Sequence, residues 1–497
     1  MSDIKDKSGT TDGSIAIPQA PSIPNGKISR RSLIQVGTAI GAGITFFPRF
    51  SLANSPNSKL NIAMIGAGGI ADMAYDGTCK ENIVALADVD STKFRQHVKK
   101  YPQLEKAKTF SDFRVMFDKM GSEIDAVCIN TPDHTHFVAT MEAMQRGKHV
   151  CTQKPLTHTI WESRTLQLAS KKYKLVTCMA NQGHTYNGIR SLREWYEAGV
   201  IGQVKEAHSW RLGPEWDKGG PYFSMPKNFP LRIDPVPSHL DYDLWLGPIE
   251  KVPYSSFYHP LKWRGFHRFG GGMFGDWMPH VADAPVWILD LYDPKVIELV
   301  QKDGGNEVMV PDGNSVRWDF GARGVYQGEG KGGDNPLKSP ISYYWHNGPQ
   351  PKYCPNKPKD WDWSSNLPEG GSLLMGDKNT VFADERSNNP RLVNKEAMKA
   401  FQKSGFPAQK YPRVPNGGPH AEWVRAIKGD GPEPGSNFAY ATRFNEMMIL
   451  GIMAAMYGGR IEWDANNMRI TNRPELNVYL RTTPRKGWEY GEDLWKV

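Results

Sequence analysis

Between Leu60 and Asp88 a short apolar run meets a glycine turn and, 22 residues past the first glycine, an acid. Leu60-Asn61-Ile62-Ala63-Met64-Ile65 leads into Gly66-Ala67-Gly68-Gly69-Ile70-Ala71, and Val84-Ala85-Leu86-Ala87 leads into Asp88. Such a pattern calls for a strand, a tight bend, a helix and a second strand, the opening of a parallel α/β sheet. The first glycine lets the chain turn sharply. The second lets bare backbone approach a pyrophosphate, and the small Ala71 lets the helix sit close to the strand. Amides at the helix start then face the phosphates, where the helix dipole favours negative charge. Asp88 stands at the distance of an acid that accepts from the adenosine ribose hydroxyls. Because it would repel a 2′-phosphate, NAD is expected rather than NADP. A glycine turn alone is also found as an ordinary tight turn; the strand, the helix and the spaced acid together make dinucleotide binding the expectation.

The alternation continues to about residue 182. Candidate strands are Asn61–Ile65, Ile83–Ala87, Ala126–Asn130, His149–Cys151 and Leu175–Ala180, with helices such as Phe137–Arg146 and Ile160–Tyr173 between them. This predicts a Rossmann domain over 60–182, its parallel sheet covered on both faces. Beyond it aromatics, Gly and Pro become dense, and Val204–Leu212 and Ser315–Phe320 read as strands that no longer alternate with helices. An α+β domain over 183–497 with an open, mostly antiparallel sheet is expected, with long loops over about 327–372. Helices return at Pro419–Ile427 and Phe438–Tyr457. The apolar Met447–Met456 is too short to span a bilayer and reads as a buried core helix. At 497 residues the chain is long enough for two domains, each with its own core.

Residues 1–53 read as a leader rather than as fold. Ser29-Arg30-Arg31-Ser32-Leu33 precedes an apolar run from Ile34 to Phe47, and Ser51-Leu52-Ala53 offers a small-residue cleavage site. This is the layout of a twin-arginine export signal, so the protein is expected in the periplasm after engaging that machinery. The alternative, a short membrane anchor, would need a longer run. Net charge is +8, of which the leader carries +3 (six Lys or Arg less three Asp). The remainder is modest and unclustered, which argues against a nucleic-acid partner. Of the five cysteines, Cys128, Cys151 and Cys178 lie in apolar strand-like runs and read as buried thiols, as suits a protein folded in a reducing compartment before export.

Four ordered motifs resemble those of the Gfo/Idh/MocA oxidoreductases. They are the Gly66–Ala71 turn with Asp88, Asn130-Thr131-Pro132-Asp133-His134-Thr135-His136, Gln153-Lys154-Pro155, and the segment Gly270–Asp283 with its Asp276, His280 and Asp283. Leu240-Asp241-Tyr242-Asp243-Leu244-Trp245-Leu246-Gly247-Pro248 resembles exported bacterial members. Gln153 departs from the family's Glu, so Lys154 loses a possible carboxylate neighbour. The resemblance implies a cofactor site of Gly66, Gly68, Gly69, Ile70, Asp88, Asn130, Thr131, Pro132, His136, Lys154 and Gln182. It places Lys154, Asp276 and His280 beside the nicotinamide. Substrate contacts are assigned to His184, Tyr186, Trp210, Arg211, Trp277 and Asp283. A homo-oligomer, dimer or tetramer, built on the open sheet is also implied.

The residue chemistry agrees. Oxidising a secondary alcohol needs a base for the hydroxyl proton and a donor for the developing alkoxide. His280, with an ordinary pKa of about 6.5, suits the first. Asp276 falls four residues earlier, on the same face of a helix, and would orient it; Lys154 at a sheet end suits the second. Asp276 and His280 could equally ligate a metal, but no third ligand stands at a convincing spacing, and none is assigned. Trp210, Trp216, Tyr222, Tyr242, Trp245, Tyr258, Trp263, Phe266 and Trp277 suit the apolar faces of sugars, with Arg211, His184, His259 and Arg264 to read hydroxyls; an aromatic core under long loops is the bland alternative. An exported enzyme has no pool of free NAD, so the cofactor is expected to be retained and recycled in one pocket. The cycle is either a sugar-to-sugar exchange or oxidation at C3, elimination, hydration and reduction, with Tyr186 or His184 as the eliminating base. A non-catalytic sugar sensor holding the nucleotide as structure is the alternative from another class.

Overall fold

The predicted alternation appears as a six-stranded parallel sheet in the computed structural model, which describes residues 59–213, 226, 228–325, 337–415 and 418–496. The leader and the rings Trp216 and Tyr222 lie outside the described residues. β1 (Asn61–Ile65) runs through the glycine turn into α1 (Ala71–Thr78) and β2 (Asn82–Ala87). Then follow β3 (Lys108–Phe110), α2 (Phe113–Met120), β4 (Ala126–Ile129), α3 (Asp133–Gln145), β5 (His149–Thr152), α4 (Ile160–Tyr173) and β6 (Thr177–Met179). The order across the sheet is β3-β2-β1-β4-β5-β6. Strand order therefore reverses between β1 and β4, which opens a crevice at their carboxyl ends. β4 is buried along its whole length, as a strand covered on both faces must be. Thr159 and Glu162 cap α4 reciprocally, at 3.3 and 2.9 Å.

α3 starts at Asp133, four residues before the apolar pattern predicted, because its first turn is polar yet buried. Thiols stand side by side on three neighbouring strands, Cys128 beside Cys151 and Cys151 beside Cys178, in register. All three are fully buried and unoxidised, and burial pushes the Cys151 thiol well above its ordinary range.

The second half opens with α5 (Asn187–Glu197) and β7 (Val204–Arg211), followed by α6 (Tyr242–Leu246), α7 (Gly272–Asp276), α8 (Met278–Val281) and α9 (Asp283–Leu289). Next come β8 (Val296–Asp303), β9 (Gly313–Phe320), β10 (Arg323–Val325), β11 (Leu337–Lys338), β12 (Ile341–Asn347), β13 (Gly370–Gly376), β14 (Thr380–Ala383) and β15 (Arg391–Leu392). The chain ends with α10 (Lys395–Ser404), α11 (Pro419–Ile427), α12 (Phe438–Tyr457), β16 (Arg460–Asp464) and β17 (Arg469–Ile470). Nine strands form a sheet in the order β15-β14-β13-β7-β12-β9-β8-β16-β17. It is antiparallel apart from the β7–β12 pair.

Two expectations change. The stretch 327–372 is not all loop, because β12 lies within it at the middle of the sheet. Its aromatics are a strand's inner face: Ile341, Tyr343 and Trp345 are buried while Ser342 and Tyr344 are half-buried. The two sheets also do not have wholly separate cores. α12, capped by Asn437 on the amides of Ala439 and Tyr440, is apolar nearly all round and packs against α4, β8 and β9. One cluster thus joins Val127 and Val138 to Trp318, Tyr343 and Leu450. No described helix is long and apolar enough to cross a membrane.

Candidate active site

A cavity of about 1090 Å³ opens where the ends of β1 and β4 diverge. At one end the glycine turn is pressed onto β4. Gly66 has φ +85°, and a Cβ there would stand 2.7 Å from the Asn130 carbonyl carbon. Gly69, at φ +54°, has nothing within 4 Å of an added Cβ, so bare backbone faces the cavity. Its N–H donates to Gln96 Oε1 at 3.3 Å. Asp88 is tied into the turn rather than standing free: Oδ2 accepts from Ala67 N at 2.8 Å and Oδ1 from Asp90 N at 2.9 Å. Burial raises its pKa above the ordinary carboxylate value. Asn130 Nδ2 donates to the Gly66 carbonyl at 3.2 Å, while Asn130 Oδ1 and Thr131 Oγ1 are buried without partners. Two orphaned polar atoms beside exposed turn backbone fit a polar ligand laid along this edge.

Of the cofactor residues read from the sequence, Gly66, Gly68, Gly69, Ile70 and Asp88 line the cavity, as do Asn130, Thr131, Pro132, Lys154 and Gln182. His136 does not. It is fully buried on α3, with Nδ1 2.7 Å from the Pro155 carbonyl and Nε2 2.8 Å from the Thr131 carbonyl. It holds two cavity loops from behind instead of touching a ligand.

At the other end lie Lys154, Asp276 and His280. Lys154 Nζ donates to the Asp276 carbonyl at 2.7 Å and to its Oδ1 at 2.8 Å. Burial alone would raise the Asp276 pKa, but Lys154 and then Arg264 outweigh it and hold it at about 2. Asp276 thus supplies the carboxylate that Gln153 does not. It is not the partner of His280, since the helix breaks at Trp277 between α7 and α8. That partner is Asn181, whose Oδ1 lies 3.1 Å from His280 Nδ1 and whose Nδ2 donates to the Pro279 carbonyl at 2.6 Å. The second bond fixes which end of the amide faces the ring. Nδ1 therefore carries the proton and Nε2 the lone pair. Burial, then the charges of Lys154 and Arg386, hold the imidazole pKa well below its ordinary value, so His280 is neutral at neutral pH.

The substrate residues divide. Arg211 and Trp277 line the cavity, with the Arg211 guanidinium 4.4 Å from the Trp277 ring centroid. His184, Trp210 and Asp283 do not: all three are buried in the core behind. His184 Nδ1 lies 3.0 Å from both Asp283 oxygens, Tyr440 Oη donates to Asp283 at 2.5 Å, and Trp210 Nε1 donates to the Pro368 carbonyl at 2.9 Å. Tyr186 is half-buried at the start of α5, away from the cavity. Neither residue read as an eliminating base is therefore in place for it. Among the described residues no group of three His, Cys, Asp or Glu is arranged to hold a metal.

Asn181 and Arg386 gave no signal in the sequence. Asp133 lay within a quoted motif without a role; it lines the cavity, and burial raises its pKa to about 7.

A strap from the second half closes the nucleotide end. Ser91 N donates to the His239 carbonyl at 3.0 Å and Asp241 N to the Val89 carbonyl at 2.9 Å, so Leu240 bridges Asp90 just beyond β2. The strap has its own apolar cluster of Leu240, Trp245, Phe266 and Phe269, against which Val89, Tyr242 and Tyr258 pack. Trp245, His259, Trp263 and Arg264 face the cavity. Five of the seven described rings read as sugar platforms, Tyr242, Trp245, Tyr258, Trp263 and Phe266, therefore belong to the strap's own cluster, and of these only Trp245 and Trp263 also line the cavity.

A model described as an oxidoreductase family's NAD-binding Rossmann fold matches residues 60–182, and one for an oxidoreductase family's C-terminal alpha/beta domain matches residues 190–336. The D-glucoside 3-dehydrogenase of Escherichia coli (strain K12) is 26% identical over 149 residues, 30% of this chain and 42% of that protein. The chain spans half or less of the length of the curated relatives it matches. The WlbA dehydrogenase from Chromobacterium violaceum, solved with NADH and UDP-GlcNAcA, superposes with a TM-score of 0.54 at 15% identity, over 84% of this chain and 99% of that one. The aldose-aldose oxidoreductase from Caulobacter crescentus, complexed with glycerol, gives 0.52 at 15% identity over 82% and 100%. At such identity the likeness is one of fold.

Proposed function

Because the chain belongs to the Gfo/Idh/MocA family of NAD-binding oxidoreductases, we propose that it oxidises a secondary alcohol of a sugar or glycoside, C3 being the favoured carbon, with NAD retained and recycled in the same pocket. One observation carries the reading: a lysine braced by a carboxylate and a neutral histidine with a fixed tautomer line the same cavity as the glycine turn. Bound NAD supplies the hydride acceptor. The turn from Gly68 to Ile70 would hold its pyrophosphate, Asp88 its ribose, and Asn130, Thr131 and Gln182 its far half. His280 Nε2 accepts the hydroxyl proton. Lys154, positioned by Asp276, donates to the oxygen that gains charge.

The glucoside 3-dehydrogenase relative supports the substrate class and carbon. The strap supports retention, because its backbone bonds to Val89 and Ser91, just beyond β2, hold it across the nucleotide end. The Arg30-Arg31 leader fits export of a folded, loaded protein to the periplasm. On the face of the second sheet opposite Tyr343 and Trp345, His208, Tyr344 and His346 stack with ring centroids 4.7 and 5.4 Å from His208, a row of polar aromatic rings that suits pairing with a second copy.

The test begins with protein purified without added cofactor. Heat-released nucleotide should be identified as NAD by mass, and a panel of sugars should reduce it in place. Lys154→Ala and His280→Ala should each lower turnover at least about 100-fold, the usual size of a lost general acid or base, while the nucleotide stays bound. Unchanged rates, or protein free of nucleotide, would sink the reading.

A further inference from the structure

Four cations crowd the substrate end of the cavity, and three of them face a carboxylate. Lys154 lies 2.8 Å from Asp276, Arg264 3.6 Å from Asp276, and Arg211 3.2 Å from Glu385 and 3.7 Å from Glu369. Arg386 is different. It lines the cavity with its guanidinium carbon 5.6 Å from the Trp277 ring centroid. Among the described residues its side chain has neither an ion-pair partner nor a hydrogen bond, and its Nε is buried without an acceptor.

The side chain is also held on a braced turn. Asp384, just past β14, accepts from the amides of Arg386 at 3.2 Å and Asn388 at 2.8 Å, and from Asn389 Nδ2 at 2.9 Å. Ser387 takes φ +54° and donates its N–H back to the Asp384 carbonyl at 2.8 Å. A flexible surface arginine would keep its fork in bulk water. This one is stacked, partly desolvated and fixed next to the reacting end, where its charge already acts on His280. A half-buried guanidinium without an acceptor is costly unless a ligand supplies one.

The geometry points to an acidic saccharide as the substrate, one whose carboxylate is taken by Arg386 while a ring hydroxyl faces Lys154 and His280. The planar fork takes a planar carboxylate through two parallel N–H···O bonds; a phosphate ester offers the fork the same acceptors, and the experiment separates the two. This inference rests on the sugar oxidoreductase reading and narrows it to an anionic class.

The experiment uses the protein with its own nucleotide bound. The methyl glycosides of glucuronate, galacturonate and mannuronate are compared with those of glucose, galactose and mannose, and with the three sugar 6-phosphates. Calorimetry gives affinity and nucleotide absorbance gives turnover. At least one uronate should bind tenfold or more tightly than its neutral counterpart and its phosphate. Arg386→Gln should abolish that preference and Arg386→Lys should keep part of it. In Arg386→Gln the acid limb of kcat against pH should also move upward, because removing a nearby positive charge lets His280 take a proton more readily.

Neutral sugars binding as well as uronates in every pair would overturn the inference, as would a preference that survives Arg386→Gln. A phosphate preferred over its uronate would reassign the anion. Loss of nucleotide from the variant would show that Arg386 serves the cofactor instead. In the first two cases turnover of neutral sugars leaves the oxidoreductase reading standing; only protein that neither carries nor reduces a nucleotide removes both.

Discussion

His280 owes its readiness as a base to a residue that carries no charge. Asn181 is anchored on the Pro279 carbonyl and presents an acceptor to Nδ1, so the lone pair is left on Nε2. Replacing Asn181 with Asp would set a carboxylate where a neutral acceptor stands, stabilising the imidazolium and raising a pKa that burial now holds low. The acid limb of the pH profile should therefore move upward by about one unit or more, with kcat falling roughly 10-fold at pH values below that limb. A profile superimposable on that of the parent would show that Asn181 does not set the tautomer. The sequence made Lys154, Asp276 and His280 legible because they recur in ordered motifs. It hid the pairing, since Asp276 sits four residues from His280 yet serves Lys154 from across 122 residues. Asn181 and Arg386 stayed invisible because their roles arise from turns that only the folded chain brings together. The polar candidates His136, His184 and Asp283 went the other way: buried hydrogen-bond knots are built from the same side chains as active sites.

Among the elements, the strap from 228 to 268 decides how the nucleotide end behaves. Trp245 is its keystone, stacked on Tyr242 and tilted against Phe269 at centroid distances of 5.6 and 5.0 Å, while its carbonyl accepts from His134 Nε2 at 2.8 Å. Trp245→Ala should cost about 3–5 kcal/mol of local packing and so loosen the strap without touching the glycine turn. Nucleotide dissociation, followed by dilution into excess unlabelled NAD, should quicken at least about tenfold if that packing restrains release. An unaltered rate would mean that retention lies elsewhere. Period-2 and period-3.6 patterns revealed most regular elements, α4, α11 and α12 to their first and last residues. β12 escaped notice because its neighbours in sequence are rich in Gly, Pro and Lys. The strap escaped because its rings read equally well as a sugar platform or as a core, and they are divided between the two.

Across the whole molecule, buried neutral histidines set the response to acid. Burial lowers His134, His267 and His346 to about 3, and His149, His158 and His420 to about 4. An unfolded histidine takes its proton near pH 6.5. Below that pH the unfolded chain binds protons that the native chain refuses, and each such group removes up to about 1.4 kcal/mol per pH unit. Asp133 and Glu162, raised to about 7, act in the opposite sense, since the native state holds their protons first. With His136 and His259 also lowered to about 4 and His280 well below its ordinary value, nine imidazoles outweigh the three raised carboxyls Asp88, Asp133 and Glu162, so the urea midpoint should fall steadily from pH 7 to pH 4; a flat or rising midpoint would contradict the buried neutral imidazoles.

The row of Cys128, Cys151 and Cys178 reaches further still. Neighbouring strands lie about 4.8 Å apart, near enough for adjacent sulfurs to couple, and only the closed sheet keeps an oxidant away from them. Collapse must therefore come before any exposure to dioxygen or a disulfide donor. Denatured protein returned to buffer should recover in dithiothreitol and fail in oxidised glutathione. The timing of this polypeptide's maturation is thus dictated from its deepest strands, whatever its destination.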